Sequence, residues 1–210
     1  MDIKFCGVRT GQDAIFCNIL KPDYMGIILS PGFRRTITPE QAASVVRYLS
    51  PSVRSVGVFV NASTAEILRT LQIVPLHVIQ LHGQESASQI AQLQTETHLP
   101  VWKAVRVRNT DDIRRAETLG ANRLILEGYV SKQIGGTGIK ADWNTIAQAS
   151  PKQPYFLAGG LTPDNLRTAM KIVTPYGVDL SSGTETGGVK DFRKMQEIIR
   201  IVRGELTWKK

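Results

Sequence analysis

The residues best suited to chemistry stand directly after apolar runs. Cys6-Gly7 closes "IKFCG", Asn61 closes "VGVFVN", His82-Gly83 closes "HVIQLHG" and Arg106 falls near the end of "VWKAVRV". Glu127-Gly128 closes "RLILEG", Gly159-Gly160 closes "YFLAGG" and Ser181-Ser182-Gly183 closes "GVDLSSG". The last two turns read together as a phosphate cradle. "LAGGLTP" sets two glycines before a helix start, and "LSSGTE" sets a small hydroxylated turn after the next run. Glycines let a backbone approach a ligand closely, and free N–H groups near a helix start attract an anion. Asn61 and Arg106 read as strand terminators. A free cysteine is commonly a small core residue, so residue type alone leaves Cys6 open between packing and chemistry.

These groups need elements to bring them together. Eight short apolar runs, at 3–7, 24–30, 56–61, 77–83, 101–107, 123–128, 155–160 and 177–183, read as strands. They are near-continuous rather than alternating, as parallel strands covered on both faces are. Helical stretches lie between them. Thr38-Pro39-Glu40-Gln41 and Ser63-Thr64-Ala65-Glu66 are capping boxes, and Thr162-Pro163-Asp164 opens another helix. Leu166, Ala169, Met170 and Val173 share one helical face, as do Phe192, Met195, Ile199 and Val202 after an acidic Asp191. The patterns around 11–20 and after Asp142 are weak. Eight strand–helix units in 210 residues average about 26 residues each, which fits an α/β chain closing into a (β/α)8 TIM barrel. A doubly wound open sheet is the alternative. No linker divides the chain, so residues 1–210 read as one domain. In a barrel the C-terminal strand ends converge on one site. The loop from Gly128 to Lys140 follows the sixth strand on that face, and its "GGTG" at 135–138 reads as a mobile lid.

Composition narrows the classes. Hydrophobic residues make up 42 % of the chain, charged residues 21 %, and the net charge is +8. The basic residues are dispersed, densest at 33–35, 113–115 and the terminal "WKK", without a basic block or zinc-finger spacing. That pattern suits an anionic small molecule and not nucleic acid. No apolar run nears the roughly 20 residues of a membrane span. The start, "MDIKFCG", lacks a leader pattern, which makes a cytoplasmic protein the default. Cys6 and Cys17 do not form a disulfide framework. His77, His82 and His98 lack metal-ligand spacing, so no metal is expected.

"KFCG", "VGVFVN", "QLHG", "GGTG…DW", "AGGLTPDN" and "GVDLSSG…KD" follow one another in the order and spacing of phosphoribosylanthranilate isomerase. The chain resembles that family from Ile3 to about Val202. The resemblance implies a small barrel without metal or cofactor, monomeric or homodimeric, acting in tryptophan biosynthesis. The implied reaction is an Amadori rearrangement of an anionic phosphosugar, N-(5-phosphoribosyl)anthranilate, to an open-chain ketose. It needs an acid at the ring oxygen and a base at C2′. The resemblance assigns Cys6 as the base. Lys4, two residues earlier on the same strand, is expected to point the same way, favour the thiolate and bring its pKa down. The acid falls on Glu127, where the family has a shorter aspartate. Arg35 matches the arginine that holds the anthranilate carboxylate, with Arg34 as fallback and Phe33 in place of the family's serine. His82 lines the pocket. Gly159, Gly160, Ser181, Ser182 and Gly183 take the phosphate. Asp179 holds a sugar hydroxyl or fixes its loop. Asp142 matches a helix N-cap. Another sugar isomerase on the same kind of barrel would usually carry aspartate, not cysteine, after the first strand. A phosphosugar-binding barrel with lost catalysis is the remaining alternative.

Overall fold

The computed structural model describes residues 1–128 and 143–205. Eight strands pair in parallel, in sequence order, into a closed barrel. They are β1 (Asp2–Cys6), β2 (Tyr24–Ile28), β3 (Arg54–Phe59), β4 (Val78–Leu81), β5 (Val101–Val107), β6 (Arg123–Gly128), β7 (Tyr155–Ala158) and β8 (Gly177–Leu180). The helices are α1 (Gly11–Leu20), α2 (Pro39–Val46), α3 (Thr64–Ile73), α4 (Ala87–Thr97), α5 (Thr110–Glu117), α6 (Trp143–Ala149), α7 (Pro163–Ile172) and α8 (Phe192–Arg203). β1 pairs with β2 on one side and β8 on the other. That first-to-last pairing rules out the open sheet and yields the expected (β/α)8 barrel.

Local chemistry explains the helix starts. The Thr38 hydroxyl accepts from the Gln41 N–H, and the Gln41 side chain accepts from the Thr38 N–H. Ser63 and Glu66 repeat the exchange. So do Thr10 and Asp13, which is why the weakly patterned segment 11–20 is a helix. The Asp191 carboxylate accepts from the N–H groups of Arg193 and Lys194 to open α8. That helix buries Met195, Ile198, Ile199 and Ile201, each contributing about 1.5–3 kcal/mol by leaving water.

Six of the expected strands end one to three residues early, and two of them show why. β7 stops at Ala158 because Gly159 and Gly160, with φ of 88° and 64°, turn left-handed. β8 stops at Leu180; Ser182–Thr184 form a short 3₁₀ turn instead. A hairpin of β9 (Glu185–Thr186) and β10 (Val189–Lys190) follows it.

The main core lies between strands and helices. Inside the barrel, the N-terminal end is filled by Tyr24, Trp102 and Phe156, with ring centroids 4.8 Å (Tyr24–Trp102) and 4.9 Å (Trp102–Phe156) apart. Polar side chains occupy the opposite end. "GGTG" at 135–138 and Asp142 lie outside the described residues.

Candidate active site

A cavity of about 250 Å³ opens at the C-terminal end of the barrel. Cys6 reaches it from β1, Arg35 from the loop after β2, His82 from the end of β4 and Glu127 from β6. Gly159, Gly160, Asp179, Ser181 and Ser182 complete the wall on the β7–β8 side. Nine of the ten expected site residues therefore share one space. Gly183 is the exception: a Cβ there would run into the Leu161 carbonyl oxygen, so it lets the turn pack on the loop before α7.

Cys6 is 8 % exposed and Lys4 is fully buried. Both point inward, as residues two apart on a strand do. They share the space above Gly26, where an added Cβ would come within 2.9 Å of the Cys6 Sγ and equally close to the Lys4 Nζ. The Lys4 ammonium donates to both Asp179 oxygens, at 3.0 and 2.9 Å. Register explains the pair, since Lys4 and Asp179 are Cα partners across the β1–β8 seam. Asp179 thereby ties β8 to β1. Burial works against the Lys4 charge, but Asp179 and Cys6 outweigh it and raise the Lys4 pKa. Burial also pushes the Cys6 thiol up, with Asp179 adding to the rise, although Lys4 and Lys190 pull it down. The expected downward shift is thus not observed. Lys4 favours the thiolate as anticipated, but the dry site costs the anion more.

Glu127 faces His82, with Oε2 3.3 Å from Nε2. Burial acts to raise the Glu127 pKa, but His82, Arg106 and Lys4 outweigh it and hold the carboxyl below its usual value. The site thus carries a carboxylate where a proton donor was expected. Arg106 is the Cα partner of Glu127 across the β5–β6 ladder, so the strand-end arginine has an electrostatic role as well. Gln80 points inward two residues before His82, with its amide nitrogen 3.4 Å from the His82 Nδ1. Its Oε1 is buried without a hydrogen-bond partner in the described structure. A neighbouring groove of about 640 Å³ shares His82 and Glu127 with the cavity and is lined by Arg106, Arg108 and Arg115.

Arg35 crosses Gly7, where an added Cβ would meet its side chain and the Ser181 hydroxyl. Its guanidinium donates twice to Glu185, at 2.6 and 2.9 Å, and the fallback Arg34 donates to the same carboxylate at 2.8 Å. Burial opposes the Glu185 charge, yet Arg35, Arg34 and Lys190 bring its pKa down to about 2. Arg35 therefore enters the site already held on one edge, with its outer N–H groups free of that carboxylate.

The remaining two histidines hold local structure. His77 accepts through Nδ1 from the Ser55 N–H, and His98 caps α4 in a left-handed conformation. Asn61 terminates β3 with φ of 52° and accepts from the Gln84 N–H. Cys17 is fully buried in α1, where burial and then Asp13 push its thiol up to about 12. Sequence reasoning missed Glu185 and Lys190 as members of the site. The available signal was the pair of charged residues around the short "TGGV" after a barrel strand. Among the described residues no group of three or more His, Cys, Asp or Glu is placed to hold a metal ion.

A family model for N-(5′-phosphoribosyl)anthranilate isomerase matches residues 3–201. The N-(5′-phosphoribosyl)anthranilate isomerase of Thermoanaerobacter sp. (strain X514) is 37 % identical over 202 residues, covering 96 % of this chain and 98 % of the relative. The crystal structure of phosphoribosyl anthranilate isomerase from Thermotoga maritima aligns with a TM-score of 0.87 at 33 % identity, covering 97 % of this chain and 99 % of that one. The Thermotoga maritima protein is dimeric and was also solved as monomers. A phosphoribosyl anthranilate isomerase in complex with reduced 1-(o-carboxyphenylamino)-1-deoxyribulose 5-phosphate aligns with a TM-score of 0.84 at 32 % identity, covering 97 % and 99 %. Its barrel, its shared cavity and these matches across nearly its whole length place the chain in the N-(5′-phosphoribosyl)anthranilate isomerase family.

Proposed function

We propose that this chain converts N-(5′-phosphoribosyl)anthranilate into 1-(2-carboxyphenylamino)-1-deoxyribulose 5-phosphate, a step of tryptophan biosynthesis. The observation that carries the mechanism is that Cys6 and Glu127, from opposite sides of the barrel, line one cavity beside two small-residue turns. The turns at Gly159-Gly160 and Ser181-Ser182 take the phosphate. Arg35 offers its outer N–H groups to the substrate carboxylate.

A proton passes from Glu127 to the ribose ring oxygen. The C1′–O bond breaks as the anilino nitrogen lone pair forms a C1′=N iminium. The Cys6 thiolate then removes the C2′ proton. Those electrons form C1′=C2′, and the iminium pair returns to nitrogen. The enol loses its hydroxyl proton, C1′ gains one, and the ketose results with no atom gained or lost. Glu127 begins as a carboxylate, so it must first take up the proton that it donates. Entry of an anionic substrate does this in two ways. It brings like charge close and drives out water, and both raise a carboxyl pKa. His82 Nε2 stands 3.3 Å from the carboxylate. Among the described residues no helix is long and apolar enough to cross a membrane.

The test is rescue of a tryptophan auxotroph lacking this step, together with loss of substrate fluorescence in vitro. Cys6→Ala is expected to abolish turnover while the folded protein still binds the reduced product. A wild-type protein that binds the reduced product but neither rescues nor turns over would establish the binding-only barrel instead.

A further inference from the structure

Lys190 is a second buried lysine beside Cys6, and the reaction above gives it no task. Its side chain is 1 % exposed. The ammonium donates to the Cys6 carbonyl at 2.6 Å, the Ser181 carbonyl at 3.0 Å and the Thr184 hydroxyl at 2.8 Å. Glu185 Oε1 lies 3.3 Å away. Three donors thus meet three short bonds, and the carboxylate supplies the counter-charge.

The β1–β8 register shows what those bonds replace. The ladder pairs Asp2 with Gly177 and runs to Phe5 with Leu180. There it stops. The next residue on each strand is Cys6 and Ser181, and the carbonyls of both are held by the Lys190 ammonium. A side chain thus supplies the rung that the backbone no longer makes, at the level where the site begins. Glu185 extends the tie to Arg35 and Arg34. Burying an ammonium costs several kcal/mol unless its partners are close and complete. An apolar side chain would fill the same volume without that cost, but it could not hold two carbonyls.

We propose that Lys190, paired with Glu185, is a positioning residue that locks the end of β1 to the turn after β8 and so fixes Cys6 relative to the phosphate turn. The inference rests on the function given above. Its ammonium is also one of several charges around the thiol. The others are Lys4 on β1, Asp179 on β8 and Arg35 after β2, with Glu127 and His82 across the cavity.

The experiment uses Lys190→Met, Lys190→Gln and Lys190→Arg in the full chain, each checked for folding by thermal melting. Three quantities are read: kcat and KM, affinity for the reduced product, and the pH midpoint of Cys6 alkylation by iodoacetamide. Cys17 serves as an internal control because it is fully buried away from the cavity that Cys6 lines. Lys190→Met is expected to lose at least about tenfold in kcat, because small displacements of a reacting group are expensive. It should bind the reduced product several-fold more weakly, and its alkylation midpoint should rise by about one unit. The three variants should rank Arg, Gln, Met in kcat/KM whatever their melting temperatures. A folded Met or Gln variant with wild-type kcat, affinity and midpoint overturns the proposal; if Met fails to fold, Gln decides. Absence of turnover in the wild type would remove the function and not the clamp, since affinity and alkylation are read without turnover.

Discussion

Lys4 and Asp179 face one another across the seam where the barrel closes, 2.9 Å apart and almost wholly out of water. Removing one partner strands the other. Lys4→Met is expected to destabilise the fold by about 3–5 kcal/mol, read by urea denaturation. The double variant Lys4→Met/Asp179→Leu should recover most of that stability. It should not recover the rate, because the positive charge beside Cys6 is still missing. The pH–rate profile should show this separately. Burial holds the Cys6 pKa above its ordinary value, so kcat/KM should rise from neutral into alkaline pH, and loss of Lys4 should push that limb higher. A stability loss below about 1 kcal/mol would mean that the pair behaves as a surface ion pair.

In the proposed reaction Glu127 takes the acid's part that the resemblance gives to a shorter aspartate, and its carboxylate lies 3.3 Å from the His82 Nε2. Glu127→Gln is expected to lower kcat by about 10²–10⁴-fold, as removal of an acid–base group does. Glu127→Asp withdraws the carboxyl from His82 and should lose up to about 100-fold through misplacement alone. Steady-state kinetics with reduced-product affinity as a control distinguishes these losses from weaker binding. Equal rates for the Asp variant and the wild type would show that reach at this position is irrelevant.

Glu185 gathers Arg34, Arg35 and Lys190, and its pKa falls to about 2. A carboxyl whose pKa is lower in the folded state stabilises fully above its unfolded value, near 4.3, and loses that contribution as pH falls toward the folded one. Glu185→Gln should therefore be less stable than wild type at pH 7, and the gap should narrow as pH falls from about 4.3 towards 2. Denaturant unfolding at a series of pH values measures it. A gap that stays constant across that range would locate the effect in packing and not in charge.

The barrel was legible because its strands are near-continuous apolar runs and most of its helices start with capping residues. The helix 11–20 was less so, since Thr10 and Asp13 exchange hydrogen bonds in a segment with little apolar periodicity. Cys6, Glu127 and the two turns stood out because they follow strands, and a barrel gathers strand ends, whereas Arg35 and the roles of Cys6 and Glu127 came from the resemblance to the family. Their electrostatics could not be read the same way. Whether Cys6 is pushed up or down depends on how much water burial removes against how near Lys4 stands, which is a matter of three dimensions. Lys190 sits in the quoted "KD", but its task could not be read there, because two of its partners are the backbone carbonyls of Cys6 and Ser181.

The ring layer of Tyr24, Trp102 and Phe156 makes the barrel a blind tube. Among the described residues that layer closes the end away from Cys6, which opens onto the cavity at the strands' C-terminal ends. In the proposed reaction, hydrogen isotope taken from the sugar would then leak to solvent on the side of the strands' C-terminal ends.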